Sequence, residues 1–232
     1  MIDIHTHVLP CIDDGSNSID ESLKILETMS ETGIEKIIAT PHYYFASGES
    51  IDGFLKKRQE SYEKIKDKKP ETMDIILGAE VKLEYNIHKQ DLRKLAIQGT
   101  DYILIEMPYN KWDPWVFDEL FKISAKHGLY VVIAHIDRYV GIVKKHDINT
   151  LMDMRLKFQV NVDDMGGIFR RSDALKFIKS GVADLVASDC HNMSTRPPCL
   201  MSALKKIKSK FGENVVEKFN INAEKLIQNQ IF

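Results

Sequence analysis

The chain has 232 residues, of which 44% are hydrophobic and 28% charged, values that are ordinary for a globular protein with a sizeable core. Its length fits one domain over residues 1–232, because single α/β barrels commonly reach this size. The formal net charge of -2 gives no electrostatic reason to expect nucleic acid or an anionic membrane surface as a partner.

The cysteines and the start of the chain favour a cytoplasmic protein. Cys11, Cys190 and Cys199 are too few and too scattered for a disulfide framework, which suits a reducing compartment. The first predicted strand begins at Ile2, which leaves no room for a secretory signal peptide. Apolar runs stay well short of the roughly 20 residues that a membrane span needs. We therefore expect a cytoplasmic location without membrane insertion.

Apolar runs alternate with helical patterns along the chain. Seven runs predict strands, at residues 2–4, 34–40, 73–79, 101–105, 129–134, 158–160 and 183–188. Helices are predicted between Ser18 or Asp20 and Gly33, and at residues 51–69, 114–127, 174–179, 201–210 and 214–220. This alternation predicts a parallel sheet covered by helices, and seven strands favour a closed or nearly closed α/β barrel.

Side chains of the metal-ligand type fall where the predicted strands end. They are His5, His7, His42, Glu80, Glu106, His135, Asp189 and His191. Any one of them could serve as a core or surface residue. In a (β/α) barrel, however, the carboxyl ends of the strands converge on one face, where such enzymes carry their active sites. The shared position of these residues therefore predicts one site above the barrel axis.

The first strand leads into the sequence His5-Thr6-His7. Side chains two residues apart on a strand point to the same face, so the two imidazoles are expected side by side. Asp13 and Asp14 follow on a predicted tight turn and add two carboxylates. Taken alone, this pattern also fits a pair of surface histidines beside a capped turn. The strand-end residues elsewhere in the chain favour the metal interpretation.

Histidine nitrogens together with carboxylate oxygens suit manganese, iron or zinc better than calcium or magnesium, which prefer all-oxygen shells. Two metals about 3.5–4 Å apart can activate a water and hold both oxygens of a phosphoryl transfer. Cys190 lies between Asp189 and His191, so on an extended backbone its side chain points the other way. The residues therefore predict a multinuclear metal site without cysteine ligands.

Five short motifs occur along the chain. They are D-I-H-T-H at residues 3–7, T-P-H at 40–42, G-A-E at 78–80, A-H-I-D-R at 134–138 and S-D-C-H-N at 188–192. This ordered set resembles the PHP (polymerase and histidinol phosphatase) superfamily. With D-D-G at residues 13–15 and R-P-P at 196–198, the chain more closely resembles the bacterial PHP-type tyrosine phosphatases of capsule and exopolysaccharide synthesis.

That resemblance implies a distorted (β/α)7 TIM-like barrel with three divalent metal ions, for which we expect manganese, with iron or zinc as alternatives. Matched by motif, the implied ligand sets are His5, His7, Glu80 and Asp189; Glu80, Glu106 and His135; and Asp14, His42 and His191. The resemblance also implies a phosphotyrosine protein as substrate, with an exopolysaccharide tyrosine autokinase as the expected partner.

Two arginines and an aromatic loop complete the predicted site. Arg138 and Arg196 match arginines near the substrate phosphate in the resembling family, and a guanidinium fork fits phosphate oxygens in bidentate fashion. The alternative for both is a surface salt bridge. Tyr43, Tyr44 and Phe45 lie in a predicted loop at residues 43–50, where they could stack on a substrate ring or simply anchor the loop.

Charge counting favours three metals over two. The predicted ligands with negative charge are Asp14, Glu80, Glu106 and Asp189. Two divalent ions only neutralise these carboxylates, whereas a third leaves positive charge that attracts a phosphate dianion and stabilises a bridging hydroxide. We therefore expect a metal-bridging hydroxide to attack phosphorus in line with the leaving phenolate.

A cysteine mechanism is the first alternative to consider. Cys190 and Arg196 have the C-x5-R spacing of cysteine phosphatases, but the residues between them do not form a glycine-rich phosphate cradle. Three further functions stay open: a histidinol-phosphate phosphatase on the same scaffold, a nuclease, and a non-catalytic metal-binding regulator. The near-neutral charge disfavours the nuclease, and the complete ligand set disfavours the regulator.

Overall fold

The computed structural model describes residues 1–162 and 172–232, in which parallel strands alternate with helices. The strands are β1 (Ile2–Thr6), β2 (Lys36–Ala39), β3 (His42–Tyr43), β4 (Asp74–Leu77), β5 (Glu80–Lys82), β6 (Tyr102–Glu106), β7 (Tyr130–Ile133), β8 (Lys157–Asn161) and β9 (Leu185–Ala187). The helices are α1 (Ile19–Thr32), α2 (Ile51–Glu63), α3 (Pro114–His127), α4 (Lys145–Asp153), α5 (Ser172–Lys179), α6 (Leu200–Phe211) and α7 (Glu213–Ile227). Short 3-10 helices lie at Phe45–Ser47, Ile87–Lys89, Leu92–Leu95 and Ile136–Tyr139.

The strands pair in two parallel sheets, in the orders β1-β2-β4 and β3-β5-β6-β7-β8-β9. Two residues separate β2 from β3 and β4 from β5, so each of these pairs continues one strand position after a short break. β9 returns to β1 through a parallel bridge between Thr6 and Cys190 and through the His7 N–H, which donates to the Cys190 carbonyl at 2.8 Å. Seven strand positions therefore follow one another in a ring, which agrees with the predicted TIM-like α/β fold.

Local signals explain where α1 begins and ends. The Ser18 hydroxyl accepts a hydrogen bond from the Glu21 N–H and caps α1, and Gly33 ends that helix in the left-handed conformation at φ 98°. The predicted bounds of α3 are matched. α2 ends at Glu63, earlier than predicted, and α4 was missing from the prediction. Within the described residues, no helix is both long enough and apolar enough to cross a membrane.

Two apolar clusters hold the strands in place. The inner cluster contains side chains from alternate strand positions, among them Ile4, Ile38, Leu104, Val132 and Leu185, which are all buried. α7 adds Ala223 and Leu226 to this inner cluster and so packs against the ring. A larger outer cluster fills the space between the strands and the surrounding helices. The inner cluster forms an apolar floor inside the ring, and the predicted ligands lie towards the carboxyl ends of the same strands.

Candidate metal centre

The structure brings the nine predicted metal ligands together at the carboxyl end of the strand ring. A first group is formed by His5, His7, Glu80 and Asp189, all buried. The Nε2 atoms of the two histidines lie 3.1 Å apart, and they lie 3.1 and 3.2 Å from Glu80 Oε2. Asp189 Oδ1 is 3.4 Å from both. Two imidazole nitrogens and two carboxylate oxygens thus face one point, as in the predicted first ligand set.

An irregularity in β1 aims its histidines at this point. The register between β1 and β2 shifts between Asp3 and Thr6, where three steps along β1 match two along β2, as in a β-bulge. A bulge re-aims side chains, so Ile4 can join the apolar floor while His5, the next residue, reaches the metal ligands. Simple alternation along the strand did not predict this arrangement.

A second group combines His42, Glu80 and Glu106, whose ligand atoms lie within 4.8 Å of one another. The prediction placed His135 beside the two glutamates. In the structure His135 Nε2 lies 2.7 Å from Glu80 Oε1, while His42 Nδ1 lies 3.2 Å from Glu80 Oε2. His42 reaches the glutamates because it opens β3, which pairs with β5 and sets His42 opposite Glu80.

The third group contains Asp14, His42 and His191, as predicted, together with His7. Asp14 Oδ1 lies 3.3 Å from His42 Nε2 and 3.4 Å from His191 Nε2. The neighbouring imidazoles of His191 and His42 hold the pKa of the Asp14 carboxyl well below its usual range. The Asp14 side chain is 66% exposed, so this group lies at the solvent side of the centre.

Several buried atoms of these ligands lie 3.2–3.4 Å from another ligand atom but without the geometry of a hydrogen bond. They are His42 Nδ1, Asp189 Oδ1 and His191 Nε2. A buried polar atom without a partner costs about 1–3 kcal/mol, so its presence needs a cause. Imidazole nitrogens and carboxylate oxygens are donors for manganese, iron and zinc, and a divalent ion at each group would satisfy these atoms. The residues therefore fit a multinuclear metal centre.

Asp13 supports the ligands, a role that the prediction did not assign. Its Oδ2 lies 2.7 Å from His7 Nδ1 and accepts the His42 N–H at 3.0 Å, and its Oδ1 accepts the Gly15 N–H. Burial opposes ionisation, but the hydrogen bond with His7, the charge of that ring and the N–H groups of Gly15 and His42 together outweigh it and lower the pKa of Asp13. This contact leaves His7 Nε2 free for the metal. In the sequence, the only signal for this role was the pair of adjacent carboxylates. In the structure Asp13 supports the histidines, whereas Asp14 lies among the predicted ligands.

β8 contributes a second set of supporting side chains. Gln159 Oε1 accepts the His135 N–H at 2.8 Å and lies 3.3 Å from His5 Nδ1. Asn161 donates from Nδ2 to Asp189 Oδ2 at 2.7 Å and accepts from Gln159 Nε2. In the sequence, the signal for this role was that Gln159 and Asn161 are two residues apart at the end of an apolar strand, so their amide side chains point to the same face. These contacts hold three predicted ligands in place, through the His135 N–H, His5 Nδ1 and Asp189 Oδ2.

Both predicted phosphate-binding arginines lie against Asp189, one of the predicted metal ligands. Arg138 Nη2 contacts Asp189 Oδ2 at 2.6 Å, and Arg196 Nη2 contacts the same oxygen. Their side chains are about one-quarter to one-third exposed, so both guanidiniums also reach the open side of the centre. Asn192 Oδ1 accepts the N–H groups of three following residues, including Arg196, and so folds the loop that carries this arginine.

The aromatic loop divides into three different environments. Tyr43 is 2% exposed, donates its hydroxyl to the Glu49 carbonyl and packs on Phe54, so its predicted contact with substrate is wrong. It points into the outer core because it lies in β3, next to His42. Phe45 also packs partly against that core. Tyr44 is exposed and stacks on the His42 ring, with the ring centroids 5.1 Å apart.

Cys190 is completely buried among apolar side chains. Burial raises the pKa of its thiol well above the usual value, which keeps the thiol protonated. The neighbouring residue Asp189 has φ 52°, a left-handed conformation that aspartate tolerates better than most residues. These observations speak against a cysteine nucleophile in the Cys190–Arg196 segment.

A ring of parallel strands with imidazoles and carboxylates at its carboxyl end is typical of TIM-like α/β proteins that bind metal ions at this end. The chain belongs to the family described as "Capsular polysaccharide synthesis, CpsB/CapC", whose sequence model matches residues 1–228. This finding confirms the resemblance drawn from the motifs.

Relatives within this family are tyrosine phosphatases. The chain is 30% identical to the tyrosine-protein phosphatase YwqE of Bacillus subtilis, over 99% of this chain and 92% of the relative. It is 28% identical to the tyrosine-protein phosphatase CpsB of Streptococcus pneumoniae, over the full length of both.

Solved structures agree with this family. A chain from the work on YwqE and CpsB, reported as unique metal-dependent tyrosine phosphatases, superimposes with a TM-score of 0.83 at 25% identity. That match covers 100% of this chain and 96% of the other. A lactonase from Listeria monocytogenes matches with a TM-score of 0.57 at 10% identity, which shows a shared fold alone.

Proposed function

We propose that this chain is a metal-dependent protein tyrosine phosphatase of capsule or exopolysaccharide synthesis, with residues 1–232 forming one catalytic domain. The observation that carries the proposal is the convergence of eight histidine and carboxylate side chains in three groups, with His135 in contact with Glu80, at the carboxyl end of the strand ring. The full-length similarity to tyrosine phosphatases assigns the chemistry to phosphotyrosine. The substrate is a phosphotyrosine protein, and an exopolysaccharide tyrosine autokinase fits this role best. The chain acts in the cytoplasm.

Three overlapping ligand sets would hold three divalent ions, preferably manganese. His5, His7, Glu80 and Asp189 form the first, and Asp14, His42 and His191 form the third. Glu80 and Glu106 would hold the second ion, with His135 beside Glu80 Oε1 and His42 beside Glu80 Oε2 as the available nitrogen donors. Four carboxylates against three divalent ions leave a net positive centre, which favours a phosphate dianion.

When bound, these ions supply a nucleophilic water at neutral pH and Lewis-acid stabilisation of the phosphoryl group. The chain's own residues bind and orient the substrate around them. Arg138 and Arg196 each keep a guanidinium at the open side of Asp189, where a fork of donors can take two phosphate oxygens. Charge spreads over those oxygens in the transition state, so both arginines stabilise it as well as the bound substrate.

The test uses the full chain, freed of metal and then reloaded with manganese, iron or zinc. Hydrolysis is measured with a phosphotyrosine peptide, the matching phosphoserine peptide and histidinol phosphate, with and without chelator. We expect chelator-sensitive activity that is greatest on the phosphotyrosine peptide, and about three metal ions per chain by elemental analysis. Preference for histidinol phosphate would replace the proposed substrate. Metal binding without hydrolysis of any ester would point to a non-catalytic regulator.

A further inference from the structure

Lys82 lies at the open side of the metal centre and was not among the predicted site residues. It ends β5, two residues after Glu80, and therefore points to the same side of the strand as that ligand. Across the strand pair it lies opposite Glu106, another predicted ligand. The side chain is half-buried, whereas Glu80 is fully buried. Lys82 thus lies on the same side of β5 as Glu80, one step closer to solvent.

An aromatic contact holds the Lys82 side chain. Its Nζ lies 5.2 Å from the ring centroid of Tyr44, within the range of a cation–π interaction. Tyr44 also stacks on the ring of the predicted ligand His42. The loop that follows Tyr44 is fixed in turn, because the Ala46 N–H donates to Glu84 Oε2 at 2.9 Å. The lysine, the tyrosine and the histidine therefore form a connected row at the edge of the centre.

Lys82 carries a charge that no neighbouring carboxylate pairs with. In the two described segments, its ammonium makes the contact with Tyr44 and has no ion pair within 4 Å. Burial and the charge of Glu80 raise the pKa of Glu106, and the positive charge of Lys82 opposes that rise. A cation that stays unpaired beside a phosphate-binding centre is available for an anionic ligand.

The position of Lys82 complements that of the two arginines. Arg138 follows β7 and Arg196 follows β9, and both lie against Asp189. Lys82 ends β5, which is separated from β7 by β6 alone in the ring order. Cations thus flank the ligand groups from two sides. A phosphotyrosine carries close to two negative charges at neutral pH, spread over oxygens that point in several directions.

We propose that Lys82 is a substrate-binding residue, held in place by the Tyr44 ring, that contacts the phosphate of the phosphotyrosine from the β5 side. This inference rests on the proposed phosphatase function. It also changes the role of Tyr44, which acts by positioning the lysine and packing on His42 rather than as a free platform for the substrate ring.

The central test compares Lys82→Gln with the wild-type holoenzyme on a phosphotyrosine peptide. The phosphate is anionic in the ground state and in the transition state, so loss of the lysine weakens both nearly equally. We expect KM to rise about ten- to a hundredfold with kcat changed by less than about threefold. The inhibition constant of inorganic phosphate should rise by the same factor. Lys82→Arg, which keeps charge and aromatic contact, should restore KM to within about threefold.

Two controls separate this contact from other causes. Lys111→Gln removes the same charge from an exposed position in the connection after β6, at the same end of the ring. Equal effects of Lys111→Gln and Lys82→Gln on KM would overturn the proposal, because any positive charge at this end of the ring would then have the same electrostatic effect. Metal content is measured in each preparation, and a lower content in Lys82→Gln would mean that the lysine supports Glu106 instead. Unchanged KM in Lys82→Gln would remove the lysine from the substrate site.

A double-mutant cycle tests the link to Tyr44. Tyr44→Phe keeps the ring and should leave KM close to the wild-type value, whereas Tyr44→Leu should raise it. Combined with Lys82→Gln, Tyr44→Leu should add little to KM, because the residue that it positions is already absent. Additive effects would show that the two side chains act independently and would overturn the positioning role.

Calorimetry with inorganic phosphate and the manganese-loaded protein keeps this proposal distinct from the phosphatase function. If the wild type hydrolyses no phosphotyrosine but binds phosphate at least tenfold more tightly than Lys82→Gln does, the function fails and the Lys82 contact stands. If the wild type is an active phosphatase and both proteins bind phosphate equally, the phosphatase function stands and the Lys82 contact is overturned.

Discussion

The two ends of the strand ring have opposite chemistry although the same strands build both. Towards one end the inward positions carry Ile4, Ile38 and Leu104, and α7 packs against them. Towards the other end the same strand positions lead to histidines and carboxylates. Regular alternation is sufficient to build the apolar floor. The metal centre instead depends on departures from alternation, which are the bulge in β1 and the left-handed residues His135 and Asp189.

This contrast has a physical basis. Apolar packing is non-directional, so a floor residue needs only to point inward. A metal ligand must present one particular atom to within a few tenths of an ångström, and its other polar atoms need partners. The centre therefore depends on hydrogen bonds between its imidazoles and the side-chain oxygens of Asp13 and Gln159, whereas the floor depends on buried apolar area alone. Substitutions at the two ends should consequently fail in different ways.

The largest expected difference is between Glu80→Ala and Leu104→Ala. Glu80 faces four histidines, so its loss should lower kcat/KM by more than about a thousandfold and release metal while the ring stays folded. Leu104 is buried in the floor, and its truncation should cost about 2–5 kcal/mol of stability with metal binding kept. Chemical denaturation and elemental analysis measure both. Normal activity of Glu80→Ala would contradict the assignment of Glu80 as a metal ligand.

Gly15 tests how closely the turn after β1 packs on its ligands. A Cβ at this position would lie 2.2 Å from the His7 carbonyl oxygen and 2.6 Å from His7 Cβ. Gly15→Ala should therefore displace the segment that carries Asp13 and Asp14, and lower kcat/KM by about a hundredfold. Gly33→Ala is the matched control, because its Cβ meets open space; its φ of 98° should cost about 1–2 kcal/mol without loss of activity. Similar activity losses in both variants would contradict this reading of the turn.

Much of this contrast could be predicted from the sequence. Apolar runs located the strands, and ligand-type residues after them located the centre, because both depend on the local pattern. The breaks after Ala39 and Leu77 could not be predicted, since they divide runs that read as continuous strands. The predicted contact of Tyr43 with substrate is wrong for the same reason. Tyr43 lies in the short strand β3, which the break after Ala39 creates, and its side chain is buried there. The supporting role of Asp13 depends on contacts with His7 and on the backbone of residue 42, which the sequence pattern does not encode.

Arg196→Lys sharpens the comparison at the phosphate side. Lysine keeps the charge beside Asp189 but loses the planar fork of donors. Loss of one charge-assisted hydrogen bond costs about 1.5–3 kcal/mol, which corresponds to roughly ten- to a hundredfold in kcat/KM. Metal content should stay constant, and Arg155→Lys, at an exposed position, should be silent. Wild-type kinetics would remove Arg196 from the substrate site, and lost metal would show that it supports Asp189 instead.

Asp13→Asn should affect metal affinity more than catalysis. The amide keeps one acceptor oxygen but loses the charge that fixes the His7 ring through Nδ1. Changes in such outer partners typically cost about ten- to a hundredfold in metal affinity. Activity should therefore fall at limiting manganese and recover at high manganese. Asp20→Asn, on the exposed first turn of α1, is the control. Failure of excess metal to restore activity would place Asp13 in the reaction itself.

The smallest effect is expected at Cys190, although it lies between two predicted ligands. Its side chain belongs to the outer apolar cluster, so it faces away from the centre that Asp189 and His191 form. Its backbone carbonyl accepts the His7 N–H, and a side-chain substitution leaves that contact in place. Cys190→Ser buries a hydroxyl where the thiol was, which should cost about 1–3 kcal/mol of stability.

The kinetic consequence follows from the same burial. A protonated thiol inside the core cannot attack phosphorus, so kcat for Cys190→Ser should stay within about twofold of the wild type at a temperature where both proteins are folded. Thermal unfolding and metal content, measured in the same preparation, show whether that condition is met. If instead the folded, metal-loaded variant lost all turnover, the C-x5-R segment would carry the reaction, and the contrast between the polar centre and the apolar core around it would no longer describe the catalytic chemistry.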